Sequence, residues 1–467
     1  MRTPTTPSKL IKQALMLSVL ALSIGAMSPM QAAPTQAANS QPETRSAAEA
    51  RTVDAFTAIE LNGPYRVVIR AQGPRALELR GAPKQFADVE TVVIAGTLIV
   101  RPLRKSGFTF NLGKSPDPVT ITIHASDLQS LKMSGSGDVE LDQLQANQFT
   151  LVARGSGDLD ARGSVNALDV RASGSGDLNL RQLRSGGLKV ALSGSGDIDV
   201  GGVTQDFSAE VSGSGDLEVL DMRAARVNTV MRSSGNITLH GSGRELRAEV
   251  FGSGDLAACD LNVESVNVTL RGSGDACVNG TLRKFDAELQ GSGELKARGL
   301  QSNDARVVIS GSGGMTLSGS TVNLNAELRG SGDLDAQGLT VARAITRTRG
   351  SGNISLNTVS ETLDAELRGS GELDATAACR KITLSITGAG HANLSGTTAT
   401  LDARLDGNGM LDGRSLTAGQ ADVRVQGTAV VTVNVKGTVN ANGGRSTSSG
   451  TQLVMIDRRG IRESHTN

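Results

Sequence analysis

The chain has 467 residues, with 47 Lys and Arg against 47 Asp and Glu, no Trp, one Tyr and eight Phe. Balanced charge removes the electrostatic footprint of a nucleic-acid binder, and so few rings leave little on which bases or sugars could stack. Hydrophobic residues at 38% are too many for simple disorder, while 57 Gly point to a backbone that packs closely against itself.

Residues 1–32 have the make-up of a secretory signal peptide. Arg2, Lys9 and Lys12 form a basic end, an apolar run continues from Ala14 to Ala26, and small residues then place cleavage after Ala32. The run is too short for a membrane span, which needs about 20 residues. No later run reaches that length, so the mature chain is expected to be exported and soluble, in the periplasm or at the cell surface. Residues 33–50 read as a linker and 51–130 as an N-terminal β region that caps one end of the molecule. All eleven prolines lie before residue 119, the last being Pro118. Pro has no N–H to give a ladder, so its disappearance marks the start of an uninterrupted hydrogen-bonded array.

Over 131–435 the sequence repeats itself. Gly-Ser-Gly-Asp or a close variant starts at Gly135, Gly155, Gly174, Gly194, Gly213, Ser233, Gly252, Gly272, Gly291, Gly311, Gly330, Gly350, Gly369, Gly388, Gly407 and Gly427, at spacings that alternate between 19 and 20 residues. The fourth residue after each first Gly is apolar in every copy, from Val139 to Val431, and the second residue before it in every copy but one, Thr348. Polar residues fill the places between. Such period-two alternation on both sides of a glycine corner is the pattern of strands with one buried face. No unit can bury that face alone, but stacked units can. The fold class expected is all-β: a single-stranded parallel β-helix, or β-solenoid, of about sixteen coils of 19–20 residues, right-handed by the general bias of parallel crossovers. A single turn per 39 residues, with glycine corners at two edges, is the alternative. Phe149, Phe207 and Phe285 share one position of the repeat and read as core. Residues 436–467 read as a polar tail, with Thr451–Asp457 as a segment that could cover the far end and none of the amphipathic strands of a membrane barrel.

Residues 53–140 carry Phe56-Thr-Ala-Ile59-Glu-Leu61, Tyr65-Arg-Val-Val-Ile69 ahead of Gln72-Gly73, Gly96-Thr-Leu-Ile-Val100 and Val119-Thr-Ile-Thr-Ile123. Leu128-Gln-Ser-Leu131 then leads into Met133-Ser-Gly-Ser-Gly-Asp138. In order and spacing this resembles the "putative auto-transporter adhesin, head GIN domain" family, extended here by many more coils. The resemblance implies a β-helical envelope protein, and the partner expected for the chain is a surface or envelope ligand of unknown identity.

The chemistry-bearing pattern is an acidic column three residues after each first Gly: Asp138, Asp158, Asp177, Asp197, Asp216, Asp255, Asp275, Glu294, Asp333 and Glu372, interrupted by Asn236 and Asn353. Carboxylates stacked about 4.8 Å apart repel one another by about 1 kcal/mol in water. Two arrangements relieve that: Asx-type caps on turn N–H groups, which is the structural reading, or a bound cation, with calcium the candidate and Asp138, Asp158, Asp177, Asp197, Asp216, Asp255, Asp275 and Asp333 its ligands. Cys259, Cys277 and Cys379 read as small apolar residues, and a Cys259–Cys277 bridge would need a diagonal reach between neighbouring coils. His124, His240, His391 and His465 show no metal spacing. Gly-Ser-Gly-Asp lacks the third Gly of a dinucleotide fingerprint, and repeated serines without histidines are not nucleophiles. The expectation is a non-enzymatic envelope scaffold or surface-binding module. Calcium binding by the acidic column is the first alternative, and a polysaccharide-active β-helix enzyme the second.

Overall fold

The computed structural model describes residues 47–103, 118–442, 444–447 and 450–463. The proposed signal peptide, the linker up to residue 46 and His465 lie outside the described residues. The described chain forms a β-solenoid of about 16 turns. Its register settles the length of a turn. Val139 pairs in parallel with Leu159, and Leu159 with Leu178, so each coil lies on the coil 19 or 20 residues away, and the 39-residue alternative falls.

The chain enters through short strands: β1 (Ala47–Arg51), β2 (Ala58–Leu61), β3 (Arg66–Arg70), β4 (Ala76–Gly81), β5 (Val89–Ile94), β6 (Thr97–Pro102), β7 (Thr120–His124) and β8 (Ser130–Met133). Long strands come next, beginning with β9 (Val139–Ala153) and β10 (Leu159–Ala172). Stacking does not follow chain order here. β2 lies between β6 and β8, and β3 between β7 and β9, all in parallel. The segment 58–70 is therefore a coil slotted between one made from β6 and β7 and the first coil of the array. β5 then covers β6, and β4 covers β7, both antiparallel, with β1 outside β4. The far end is closed in the same way: strand Gln452–Asp457 runs antiparallel to Val430–Val435, and Gly444–Thr447 antiparallel to Thr438–Ala441. The segment read as a polar tail thus carries strands, and the segment read as a linker ends in β1. An open parallel edge presents unpaired N–H and C=O groups that template further pairing. Both edges of the array are turned into antiparallel pairs instead.

Within the array most coils are one nearly continuous strand between successive glycine corners. Leu159–Ala172 bends round the core without leaving the ladder, because the extra residue is taken up as a register shift between Asp160 and Arg162. The inward and outward alternation of side chains slips at that bend, where Asn166 and Ala167 are both exposed, and resumes from Leu168. The core is a thin aliphatic column. Phe207 sits between Leu188 and Val227 of the adjoining coils, and Phe285 between Val266 and Ala305, both rings about fully buried. Large rings against medium or small neighbours keep each layer full.

Candidate functional site

The Gly-Ser-Gly corners are set by contact between coils. A Cβ on Gly155 would lie 1.7 Å from the carbonyl oxygen of Gly135, and one on Gly174 would lie 1.8 Å from that of Gly155. Neither glycine has a left-handed φ, so close approach alone demands glycine there. Ser156 and Ser175 donate through their main-chain N–H groups to Gly135 O at 3.1 Å and Gly155 O at 3.0 Å, which holds the corners in a ladder of their own.

This stacking positions the acidic column. The N–H of Asp158 donates to Asp138 Oδ1 at 3.3 Å, that of Asp177 to Asp158 Oδ1 at 2.9 Å, Asp197 to Asp177 at 2.9 Å and Asp216 to Asp197 at 2.8 Å. The column continues through Asn236 to Asp216 at 2.7 Å, Asp275 to Asp255 at 2.8 Å, Glu294 to Asp275 at 2.7 Å and Asn353 to Asp333 at 2.9 Å. The donor always belongs to the neighbouring coil, which corrects the expected cap within one turn. A side chain of Asp or Asn length is needed. After Glu294, Glu372, His391 and Met410 the next N–H turns to a glycine carbonyl instead, as Gly314 does to Gly293 O at 3.2 Å and His391 to Gly371 O at 3.0 Å. Among the described residues no group of three or more His, Cys, Asp and Glu side chains could hold a metal ion.

The outward residues on either side of the bend line a shallow trough. Over Gln337 to Ser415 it encloses about 610 Å³ and is walled by Ser355, Asn357, Asp374, Thr376, Asn393 and Ser395. Asn393 Nδ2 donates to Asp374 Oδ1 at 2.8 Å and to Glu372 Oε1 at 2.7 Å, and the Thr376 and Ser395 hydroxyls meet at 2.9 Å. At the end of the trough the Arg414 guanidinium hydrogen-bonds Asp412 and holds its carboxyl below the usual carboxylate range. The arrangement offers hydroxyl, amide and carboxylate groups in rows on a stiff lattice.

Sequence reasoning missed a second group on the same outward rows. Arg181 Nη2 lies 3.1 Å from Asp199 and 2.7 Å from Glu218, while His240 lies 3.8 Å from Glu218 and 3.5 Å from Asp260. Burial raises the Asp199 carboxyl, opposed by the Arg181 charge. Five coils supply this network, so no sequence window contains it. The usable signal is the 19–20-residue period, which brings Asp199 and Glu218 into register. His124 ends β7 and His391 starts a later strand, and neither joins the network.

Cys259 and Cys277 form a disulfide, with Cα atoms 5.1 Å apart, while Cys379 is free and buried. The expectation of three small apolar residues is corrected for two of them. Ala257 pairs with Cys277, and the register then shifts after Ala258, which brings Cys259 within reach of its partner.

The profile of the family described as "Putative auto-transporter adhesin, head GIN domain" matches residues 55–221, 204–283, 278–376 and 358–450. Solved structures also match. A "putative adhesin" from Bacteroides fragilis NCTC 9343 is 16% identical, over 67% of this chain and 97% of that one, with a TM-score of 0.26. A "putative adhesin" from Parabacteroides merdae ATCC 43184 is 16% identical, over 67% and 96%, with a TM-score of 0.31. A "Putative lipid binding protein" from Parabacteroides distasonis ATCC 8503 is 16% identical, over 75% and 97%, with a TM-score of 0.20. No curated protein matches the chain. No helix among the described residues is long and apolar enough to cross a membrane.

Proposed function

Because this chain belongs to the "Putative auto-transporter adhesin, head GIN domain" family, we propose that it is an exported, non-enzymatic module that adheres to a hydrophilic ligand at the cell surface. The observation that carries the reading is the trough from Gln337 to Ser415, whose hydroxyl, amide and carboxylate groups recur coil after coil at the strand spacing. A ligand with repeated polar groups meets a surface with matching repetition, and many modest hydrogen bonds add without any single deep pocket. Export is supported by the Cys259–Cys277 bridge, since disulfides persist in oxidising compartments, and by the leader-like residues 1–32. A binding role is favoured over catalysis because the carboxylates of the Arg181 network are committed to ion pairs. A structural role for the acidic column is favoured over calcium because Asn236 and Asn353 make the same bond without charge.

The test is fractionation of the native cell with protease treatment of intact cells, followed by attachment assays on cells with and without the gene. The expected result is a protease-accessible protein, reduced attachment in the deletion strain, and failure of an Asn357→Ala/Thr376→Ala/Ser395→Ala variant to restore it. Cytoplasmic retention, or unchanged attachment in the deletion strain, would overturn the reading.

A further inference from the structure

We propose that a second surface, an arginine-walled groove over Thr204 to Arg283, binds a strand of acidic polysaccharide. The groove encloses about 470 Å³ and crosses five coils. Its floor is Ala224, Ala225 and Gly243, small residues that sink it below the side chains on either side. Arg223, Arg244 and Arg283 form its walls, all three exposed.

These arginines differ from most of their kind on the array. Most of the others meet a carboxylate two residues away, as Arg247 does Glu249 at 2.9 Å, or on the next coil, as Arg226 does Asp206 and Arg306 does Asp286 at 3.0 Å. Among the described residues Arg223, Arg244 and Arg283 have no carboxylate within ion-pair distance. Glu264, the one acid in the groove, leaves it with an excess of positive charge in a chain that is neutral overall. Three guanidiniums over a rise of about 14 Å, with coils about 4.8 Å apart, suit a linear polymer that presents charge along its length. Ser242, Asn262 and Thr281 lie between them and offer partners for sugar hydroxyls. Arg223, Ser242 and Asn262 occupy one column of the parallel ladder. No aromatic ring lines the groove, and none of the exposed large hydrophobics does, which disfavours stacked bases and a lipid surface.

A second observation points to the same place. The Cys259–Cys277 bridge joins the two coils that carry Asn262, Glu264, Thr281 and Arg283. The ladder slips there, with register shifts between Ala258 and Asn262 and between Val263 and Ser265. The covalent link fixes the spacing of these two coils where main-chain pairing is irregular.

The inference goes beyond the adhesion reading and does not depend on it, because the test uses purified mature protein and no cells. Retention is measured at low salt on polygalacturonate, dextran sulfate, neutral dextran, duplex DNA and phosphatidylglycerol vesicles. Binding to either acidic polysaccharide but not to neutral dextran is expected, and the tighter of the two tells carboxylate from sulfate. An R223Q/R244Q/R283Q variant should bind at least about tenfold more weakly, while R349Q/R380Q/R424Q, which removes the same charge elsewhere, stays within about twofold. Circular dichroism and melting confirm that both variants fold. No retention of either acidic polymer, equal loss in both variants, or preference for DNA or vesicles would overturn the proposal.

Discussion

The main-chain N–H of Asp255 donates to the amide oxygen of Asn236 at 3.0 Å, and the N–H of Asp275 donates to the carboxylate of Asp255 at 2.8 Å. One corner bond is thus made by a neutral and by a charged acceptor of the same length. What the column requires is an oxygen on the γ-carbon, poised over the next coil. Charge is incidental to that bond, and the stacked carboxylates carry a repulsion that the bond outweighs.

Asp177→Asn should therefore leave the urea midpoint within about 0.5 kcal/mol of wild type, while Asp177→Ala, which strands the N–H of Asp197, should cost about 1 kcal/mol. On the same ground the melting temperature should not move with excess calcium or chelator. A clear rise with calcium, abolished in the Asn variant, would return the column to the status of a cation site.

Gly174→Ala should be far more damaging than its size suggests. The new Cβ would meet the Gly155 carbonyl oxygen at 1.8 Å, so two coils must part, at a cost of about 3 kcal/mol or more. Gly187→Ala is the control. Its Cβ would first meet Asp206 O at 3.9 Å, and the change should be neutral or slightly stabilising. Equal effects in urea unfolding would refute coil contact as the reason for the corner glycines.

Thr229 and Thr346 each lie in the core between two alanines of adjoining coils, Ala209 and Ala248 for the first, Ala326 and Ala365 for the second. Neither hydroxyl has a hydrogen-bond partner. Val has nearly the same shape without the buried polar atom, so Thr229→Val should gain about 1 kcal/mol by urea unfolding. A loss would mean that the hydroxyl is satisfied in solution.

Asp199 gives a pH dependence whose sign is opposite to that of an ordinary ion-paired carboxylate. Burial outweighs the Arg181 charge and raises its folded pKa. A raised carboxyl contributes stability that is complete below the unfolded value of about 3.9 and is lost as pH rises through the folded value. Asp199→Asn should then raise the urea midpoint at neutral pH, with the gain fading as pH falls toward the unfolded value. Arg181 keeps Glu218 as a partner at 2.7 Å, so the variant leaves no stranded cation. A gain that grows on acidification would contradict the assigned cause.

The period was legible because each coil repeats one packing problem. A glycine where coils touch and an apolar residue four places on recur from Gly135 to Val431, and stacking Phe149, Phe207 and Phe285 at one position gave the core. The N-terminal order was not legible. Nothing local tells β2 and β3 to slot between β6–β7 and β8–β9, since any parallel coil edge would accept them and only the whole cap decides. The Cys259–Cys277 pairing depends on a register slip after Ala258, which alternation alone does not reveal. The Arg181 network and the arginine groove draw on residues about a coil apart, visible only once the period is wound into space.

That slip makes the bridge testable as a local brace. Intact protein unfolded without reductant should take up one alkylating group, at Cys379, and three after reduction. Closing a loop over a separation of 18 residues is worth about 3 kcal/mol in the chain-entropy account, with strain deciding how much is realised. In a solenoid each coil leans only on its neighbours, so the loss in a Cys259→Ser/Cys277→Ser variant should be regional. Hydrogen exchange should speed up most between Gly252 and Gly291, where the ladder is already irregular, and least in distant coils such as those around Phe149. Uniform acceleration along the array would show that the bridge stabilises the unfolded-to-folded step as a whole, and three labels without reductant would show that the cysteines are not paired at all.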